Sequence, residues 1–468
     1  MQLWLEWFNL VKFLRTAFSR QKTFLWFIAI LIGFTIKFDS NGVTSLARGI
    51  GLAPCYYTCM LHWFRSTAID FEKIMRLWVK LVVLKFNTAV RLNGKLIILG
   101  DGIKIAKEGK KMPGVKLLHQ DSQNNSKSSY IMGHSIQVAS FLVKGLSGFI
   151  SVPLGGEIHE GFEFNSKNKL TLLDKMIKLL QKTDIQEPYY FIADKYYCSG
   201  RFLKQLIKSG GNIITMMKKN AVAYYPAIID YSKKGRRKKY GEKVKIFDLF
   251  DNASLAFTKA AMPNETSIII EYCSLQLLWR PLGELVQLIL VKHPNKGNCV
   301  VMTTDLNLPA LDAITGYCYR FKIEVMFKQS VHQIRTFMYH FWSKMLAPTK
   351  KGSGDKQWQF APKKVKKIVR NKQRAYNLFI NCGLIAQGLL QYLAINYSKQ
   401  VWNGFGSWLR TIRLNVVPSE KVVSLSMSKS FWPFIADDTT EVIFKKFIRE
   451  RIDIAETPEL NLKKDLAA

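Results

Sequence analysis

The stretch PYYFIADKYYCSGRFLKQLIKSGGNIITMMKK, residues 188–219, decides how this chain folds. Its first part, PYYFIADKYY (188–197), is an aromatic and aliphatic run that reads as a buried strand, with Asp194 at its end. SGRFLKQLIKSGG (199–211) reads as a helix, with Ser199 as N-cap and glycines just past the last turn. NIITMMKK (212–219) is again a strand. Working upstream, KLIILGDGIKIA (95–106), SYIMGHSIQVASFLV (129–143) and GFISVPLG (148–155) all read as strands, and a helix is predicted over 168–183.

Three antiparallel strands, a helix, a strand, a helix and a strand is the order of an RNase H-like α/β fold. In such a sheet the strands 95–106 and 188–197 are neighbours, so Asp101 and Asp194 are predicted to meet at one sheet edge. Like charges are tolerated there only with cations present. Gly102, lacking a side chain, reads as leaving room for a metal ion or a phosphate beside Asp101.

Downstream the pattern changes. Residues 220–305 hold a basic loop, SKKGRRKKYGEK (232–243), and alternating segments such as SIIIEYCSLQLLW (267–279) and LVQLILVKH (285–293). They read as a β-rich insertion that leaves the core sheet. A long helix is predicted over 311–345, then a basic linker (347–374) that either tethers or binds phosphate, then an apolar helix (376–398) and a helical tail. Upstream, 43–65 reads as two short helices joined at Gly51, either a helix-turn-helix offering Tyr56, Tyr57 and His62 to a DNA groove or a plain helical subdomain. The expected divisions are a helical N-terminal DNA-binding region (1–88), the first part of the core (89–220), the insertion (221–306), the last core helix (307–346) and the linker with the C-terminal helical region (347–468).

Composition bounds the function. A chain of 468 residues, 48% hydrophobic, is neither disordered nor fibrous. With 69 Lys and Arg against 34 Asp and Glu, the net charge of +35 implies a polyanionic partner, nucleic acid foremost. Seven cysteines with no CxxC pair fit a reducing compartment, and Cys55, Cys59 and His62 lack a nearby fourth ligand for closed zinc, which leaves helical core spacing. TFLWFIAILIGFTI (23–36) is shorter than the roughly 20 residues that a membrane span needs, and reads as a buried helix.

The helix predicted at 311–345 carries YCYRFKIEVMFKQ, in which Tyr317, Arg320, Glu324 and Lys328 follow at spacings that share one helix face. On its own that is an exposed stripe of weak i,i+4 ion pairs. Taken in order, DG at 101, ADKYYCSG around Asp194, the basic β-rich insertion, TTDLNL and then Y-x-x-R-x-x-x-E resemble the DDE transposases of bacterial insertion sequences. More narrowly they resemble the Y-R-E-K group, over roughly residues 90–345.

That resemblance implies that Asp101, Asp194 and Glu324 form the catalytic, metal-binding triad, with two Mg²⁺ ions (Mn²⁺ substituting) serving water attack on a phosphodiester and then strand transfer by the freed 3′-hydroxyl. It implies DNA-phosphate contacts for Tyr317 and Arg320. The signature lysine, seven residues after the Glu, is Val331 here, so Lys328 is the nearest substitute. The basic cluster Lys233, Lys234, Arg236, Arg237, Lys238 and Lys239 is expected to face phosphate. Trp279 is expected either to stack on a displaced base or to fill a core. Asp305 is expected in a turn or N-cap, with metal binding as its rival role, Asp312, Asp121 and Glu163 carry no motif, and His119 and His134 read as structural. The implied protein is a cytoplasmic, nucleoid-associated cut-and-paste transposase, dimeric on double-stranded transposon ends and target DNA, without a membrane partner; the alternatives are a transposase-derived DNA-binding protein that no longer cuts and a membrane-anchored basic protein.

Overall fold

The computed structural model describes residues 1–36, 42–119, 128–159, 170–228, 238–348, 350, 361–408, 410–439 and 442–453. The N-terminal region is helical: α1 (Gln2–Lys12), α2 (Gln21–Ile36), α3 (Gly42–Gly49), α4 (Tyr57–Trp63) and α5 (Phe71–Lys85). The central region holds β1 (Arg91–Leu92), β2 (Lys95–Ala106), β3 (Lys116–His119), β4 (Tyr130–Gly145), β5 (Gly148–His159), α6 (Leu172–Thr183), β6 (Tyr189–Ile192), α7 (Gly200–Lys208) and β7 (Gly211–Met216). There follow β8 (Val222–Pro226), β9 (Tyr240–Lys245), β10 (Thr258–Met262), β11 (Glu265–Trp279), β12 (Glu284–His293) and β13 (Gly297–Thr303). Last come α8 (Ala310–Cys318), α9 (Phe321–Gln329), α10 (Lys363–Asn396), α11 (Ser398–Phe405), α12 (Glu420–Ala436) and α13 (Ile443–Arg449).

The core strands lie in the order β5-β4-β2-β6-β7. β2, β6 and β7 run parallel, while β4 and β5 join antiparallel, the order and directions of an RNase H-like sheet. β6 is buried throughout, as a central strand of Tyr, Tyr, Phe and Ile must be when helices cover both faces. Each crossover helix is locally encoded. Thr171 and Asp174 form a capping box at α6, and Ser199 precedes α7 as read from the sequence.

The insertion does not leave this sheet. β13 pairs antiparallel with β7, and β12, β11, β8 and β9 follow outward, so 13 strands form one sheet. Without β13, the backbone groups of β7 would stand unpaired at an edge, and pairing them is the physical reason the sheet continues.

On the other side β5 is closed by a helix. Within α10, Asn381 accepts from Gly156 N (2.9 Å) and donates to Gly156 O (2.8 Å), and Asn377 accepts from Ile158 N (3.0 Å). Two asparagines thus act as strand partners, and Gly388 lets Trp78 approach so closely that a Cβ would lie 2.4 Å from its ring. The helix begins at Lys363, inside the segment read as linker, and its apolar part is long enough to cross a membrane; 89% of that window is buried inside the protein. α2 is likewise buried from Trp26 to Ile36 and meets α10 through Phe34 and Phe379, 5.0 Å apart.

α3 and α4 form the expected helical pair, with Gly51 at φ +62° in the turn and Leu52 N donating to Ala47 O (3.0 Å). His62 is exposed, but Tyr56 packs under Arg451 and beside Trp26.

The predicted helix 311–345 is three pieces. α8 ends at Cys318 and α9 begins at Phe321, with single-turn bonds Arg320 N to Tyr317 O (3.1 Å) and Ile323 N to Arg320 O (3.2 Å) between them. After α9 a π turn, Ser330–Ile334, closes on Arg335 at φ +60°. Ser330 Oγ, fully buried, bonds Gln387 Oε1 (2.5 Å), and a turn closed by Met338 N on Arg335 O (3.1 Å) follows, with Phe337, Tyr339 and Phe341 alternately buried.

Candidate functional site

The last paired residues of β2 and β6 are Leu99 and Ile192, so Asp101 and Asp194 each stand two residues further along neighbouring parallel strands. They therefore reach the same level, just past the carboxyl end of β6 and midway along the longer β2. Asp194 caps the short turn Lys195–Tyr197, its Oδ1 accepting from Tyr196 N (3.0 Å), while Thr215 Oγ1 donates to its carbonyl (2.8 Å). Asp101 Oδ1 accepts from Gly102 N (2.7 Å).

Glu324 comes from α9, which packs on β5 and β2 through buried Ile323 and Met326. Arg320, one turn earlier, joins the acids: Nη2 lies 2.6 Å from Glu324 Oε1 and Nη1 3.4 Å from Asp101 Oδ2. Burial pushes Asp101 up from 3.8 to about 6, and the negative charges of Asp194 and Glu324 add to it, against the lowering effects of the Gly102 N–H and Arg320. Burial pushes Tyr317, beside Arg320, up to about 12.

Among the described residues no group of three or more His, Cys, Asp and Glu stands close enough to hold a metal ion. In chemistry the acids do fit divalent cations: the three carboxylates come from three elements, the charges of Asp194 and Glu324 raise the proton affinity of Asp101, and a guanidinium now answers their charge.

Several expectations need correction. The room beside Gly102 is taken by Gln137, whose Nε2 lies 2.6 Å from where a Cβ would stand. Trp279 is 6% exposed, a core residue under the turn that ends in Gly283, whose N–H bonds its carbonyl (2.9 Å), so no face is open to a base. Lys328 is exposed and makes no hydrogen bond or ion pair among the described residues, and Tyr317 lies across the break from Glu324 rather than on one continuous helix. Lys238 is exposed and Lys239 lies 3.4 Å from Glu284, whereas Lys233, Lys234, Arg236 and Arg237 fall outside the described residues, as do Asp121, Glu163 and most of 347–360.

Asp305 is bound elsewhere. It takes Lys95 Nζ (2.7 Å) and Tyr190 Oη (2.5 Å), and its Oδ1 accepts from Asn307 N (3.1 Å) in the expected turn. Lys95 opens β2 and precedes Asp101 by six residues, about 20 Å of strand. Asp305 thus sits at the far end of the sheet from the acids. Asp312 lies in the first turn of α8. His134 is buried between Tyr339 Oη (2.8 Å) and Pro113 O (3.1 Å), and burial takes it down to about 3; His119 lies edge-on to Tyr130. His134 is thus a buried core group, and His119 is exposed.

Sequence reasoning passed over Gln137 and Tyr197. Tyr197 is fully buried beside Asp101 and Asp194 and donates to Gln137 Oε1, which braces the floor of the acid cluster. The signal was Gln137 itself, a polar residue amid the apolar strand SIQVAS and opposite Gly102. Beside Arg320 opens a cleft of about 860 Å³ between α8, α9 and the β12–β13 turn.

Residues 158–340 match the family described as transposase DDE domain, a span that contains Asp194, Tyr317, Arg320 and Glu324 and begins after Asp101. No curated protein matches the chain. With that match laid over an RNase H-like sheet, residues 158–340 are similar to the DDE domain of transposases.

Proposed function

We propose that the protein is an insertion-sequence transposase of the Y-R-E-K kind, which binds its element's ends, cuts the phosphodiester there and transfers the freed strand to target DNA. The observation that carries this is the level pairing of Asp101 with Asp194 on adjacent parallel strands, tied to Glu324 through Arg320. Asp101, Asp194 and Glu324 are the residues that would hold divalent cations. Bound Mg²⁺ or Mn²⁺ would supply activation of the attacking oxygen and neutralisation of the leaving one.

The remaining work belongs to the chain. Arg320 carries the two-pronged N–H fork that a phosphate accepts, and in the free protein Asp101 and Glu324 hold that fork in place. Tyr317 stays protonated far above neutrality and serves as a hydroxyl donor beside it. Lys328, exposed one turn past Glu324, stands in for the missing signature lysine, and the basic 233–239 loop adds phosphate contacts. The 1–88 region and the insertion read the element's ends, a homodimer holds two ends together, and the reaction proceeds in the cytoplasm on chromosomal DNA.

Cleavage of supercoiled plasmid bearing the element's own ends tests this, comparing wild type with Asp194→Ala and Glu324→Ala in Mg²⁺ or Mn²⁺. Both substitutions should abolish cutting and leave end binding intact. Selective binding without cutting by wild type would mean a transposase-derived DNA-binding protein, and undiminished cutting by Glu324→Ala would remove it from the triad.

A further inference from the structure

Three concavities adjoin along one face. The cleft beside Arg320, with Lys219 and Lys296 on its walls, shares Phe149 and Lys322 with a second hollow of about 250 Å³ between the β4–β5 turn, α9 and the start of α12. That hollow shares Val417 and Ser419 with a third, of about 230 Å³, walled by Arg410 and Arg413. Sharing those residues, the three lie side by side as one row of hollows, a groove running from beside Arg320 to Arg410 and Arg413.

Its charge is one-sided. Arg410 and Arg413 are exposed and have no acidic partner among the described residues. Glu265 lies 3.8 Å from Lys296 and pairs with it, and Glu420 accepts from Gln391 (2.9 Å), so Lys219, Lys322, Arg410 and Arg413 outweigh the one carboxylate without a cation. Between the two arginines' segment and α11 stands Trp408, 93% exposed, an aromatic ring with no packing role. A row of cations along one face matches a run of backbone phosphates.

We propose that this groove carries duplex DNA away from the cut, with Arg410 and Arg413 holding backbone phosphates at its far end and Lys322 holding one between. The inference rests on the transposase reading and extends the DNA track to the C-terminal region. Each neutralised phosphate adds about 0.9 to the slope of log affinity against log salt. Binding of a random-sequence duplex should therefore lose about 1.8 of that slope in Arg410→Gln with Arg413→Gln, and about 0.9 in Lys322→Gln.

A control removes equal charge elsewhere: Lys204→Gln with Lys208→Gln, two exposed lysines on α7, should leave the slope unchanged. The proposal is overturned if the arginine pair leaves the slope at the wild-type value, or if the α7 pair flattens it equally, which would make net charge the cause. It is also overturned if the arginine pair instead changes the sedimentation of the DNA-free protein, which would make 407–417 a surface between copies. Plasmid cutting by the wild type separates the two levels: salt-steep binding through the arginines with no cutting would sink the catalytic reading and leave the groove standing.

Discussion

Replacing Asp101 by Asn should stabilise the protein while destroying its candidate chemistry. The ionised carboxylate is disfavoured in the fold by burial and by the nearby charges of Asp194 and Glu324, which together raise it from 3.8 to about 6. At about 1.4 kcal/mol per pH unit, that rise corresponds to a cost of about 3 kcal/mol once the group is ionised. The sign follows from proton linkage. Below 3.8 both native and unfolded chains hold the proton and the cost is absent; between 3.8 and about 6 the native chain alone keeps it, so stability falls as pH rises; above about 6 the full cost persists. Asparagine keeps the acceptor for Gly102 N–H and carries no charge, so the variant escapes this fall. Thermal unfolding in chelator, followed from below pH 3.8 to above pH 6, should show the midpoint of the Asp101→Asn variant pulling ahead of wild type through that window and staying ahead by several degrees. Added Mg²⁺ should raise the wild-type midpoint and leave the variant unmoved. Equal midpoints across the window, or a variant less stable than wild type at neutral pH, would refute the electrostatic account of the acid cluster.

Three further outcomes are expected. Asp305→Ala strands the buried hydroxyl of Tyr190 and the ammonium of Lys95, and should cost about 2–4 kcal/mol in chemical denaturation while metal-dependent cutting per folded molecule persists; loss of cutting in folded protein would return Asp305 to the triad. Trp279→Ala should cost about 3–5 kcal/mol through the cavity it leaves, with DNA affinity per folded molecule unchanged, and a fall in that affinity with full stability would restore a base-stacking role. Burial brings Lys107, which donates to Phe337 O (2.5 Å) and Tyr339 O (3.1 Å), down from 10.5 to about 7. Between those values the unfolded chain holds a proton that the native chain has released, so wild-type stability should rise with pH there, and Lys107→Met should flatten the rise; parallel pH profiles would show that Lys107 is not the group responsible.

Much of the architecture was legible because local signals agreed with it. β2, β4, β5, β6 and β7 are apolar runs with turn residues at their ends, α6 carries its capping box, Ser199 precedes α7, and Asp194 stands just past its strand. The helix at 311–345 misled because YRFKIEVMFKQSVHQI keeps helical spacing past Glu324. What ends the helix is distant in sequence: Ser330 is drawn to Gln387 on α10, and Lys107 at the end of β2 takes the carbonyls of Phe337 and Tyr339. The alternation of Phe337, Tyr339 and Phe341 was the one local sign that the helix had ended.

The sequence by itself determined that Asp101 and Asp194 belong to neighbouring strands, because strand order follows from the succession of elements. It also determined the demand for a polyanion, because charge is a sum over residues. Only the tertiary structure decided that the insertion continues the sheet, since pairing with β7 depends on which edge is left open. Only it decided that Arg320 closes on Asp101, that Gln137 fills the space at Gly102, and that Asp305 lies at the far end of the sheet. Those are contacts between residues dozens to hundreds of positions apart, and no local periodicity encodes a distance across a core.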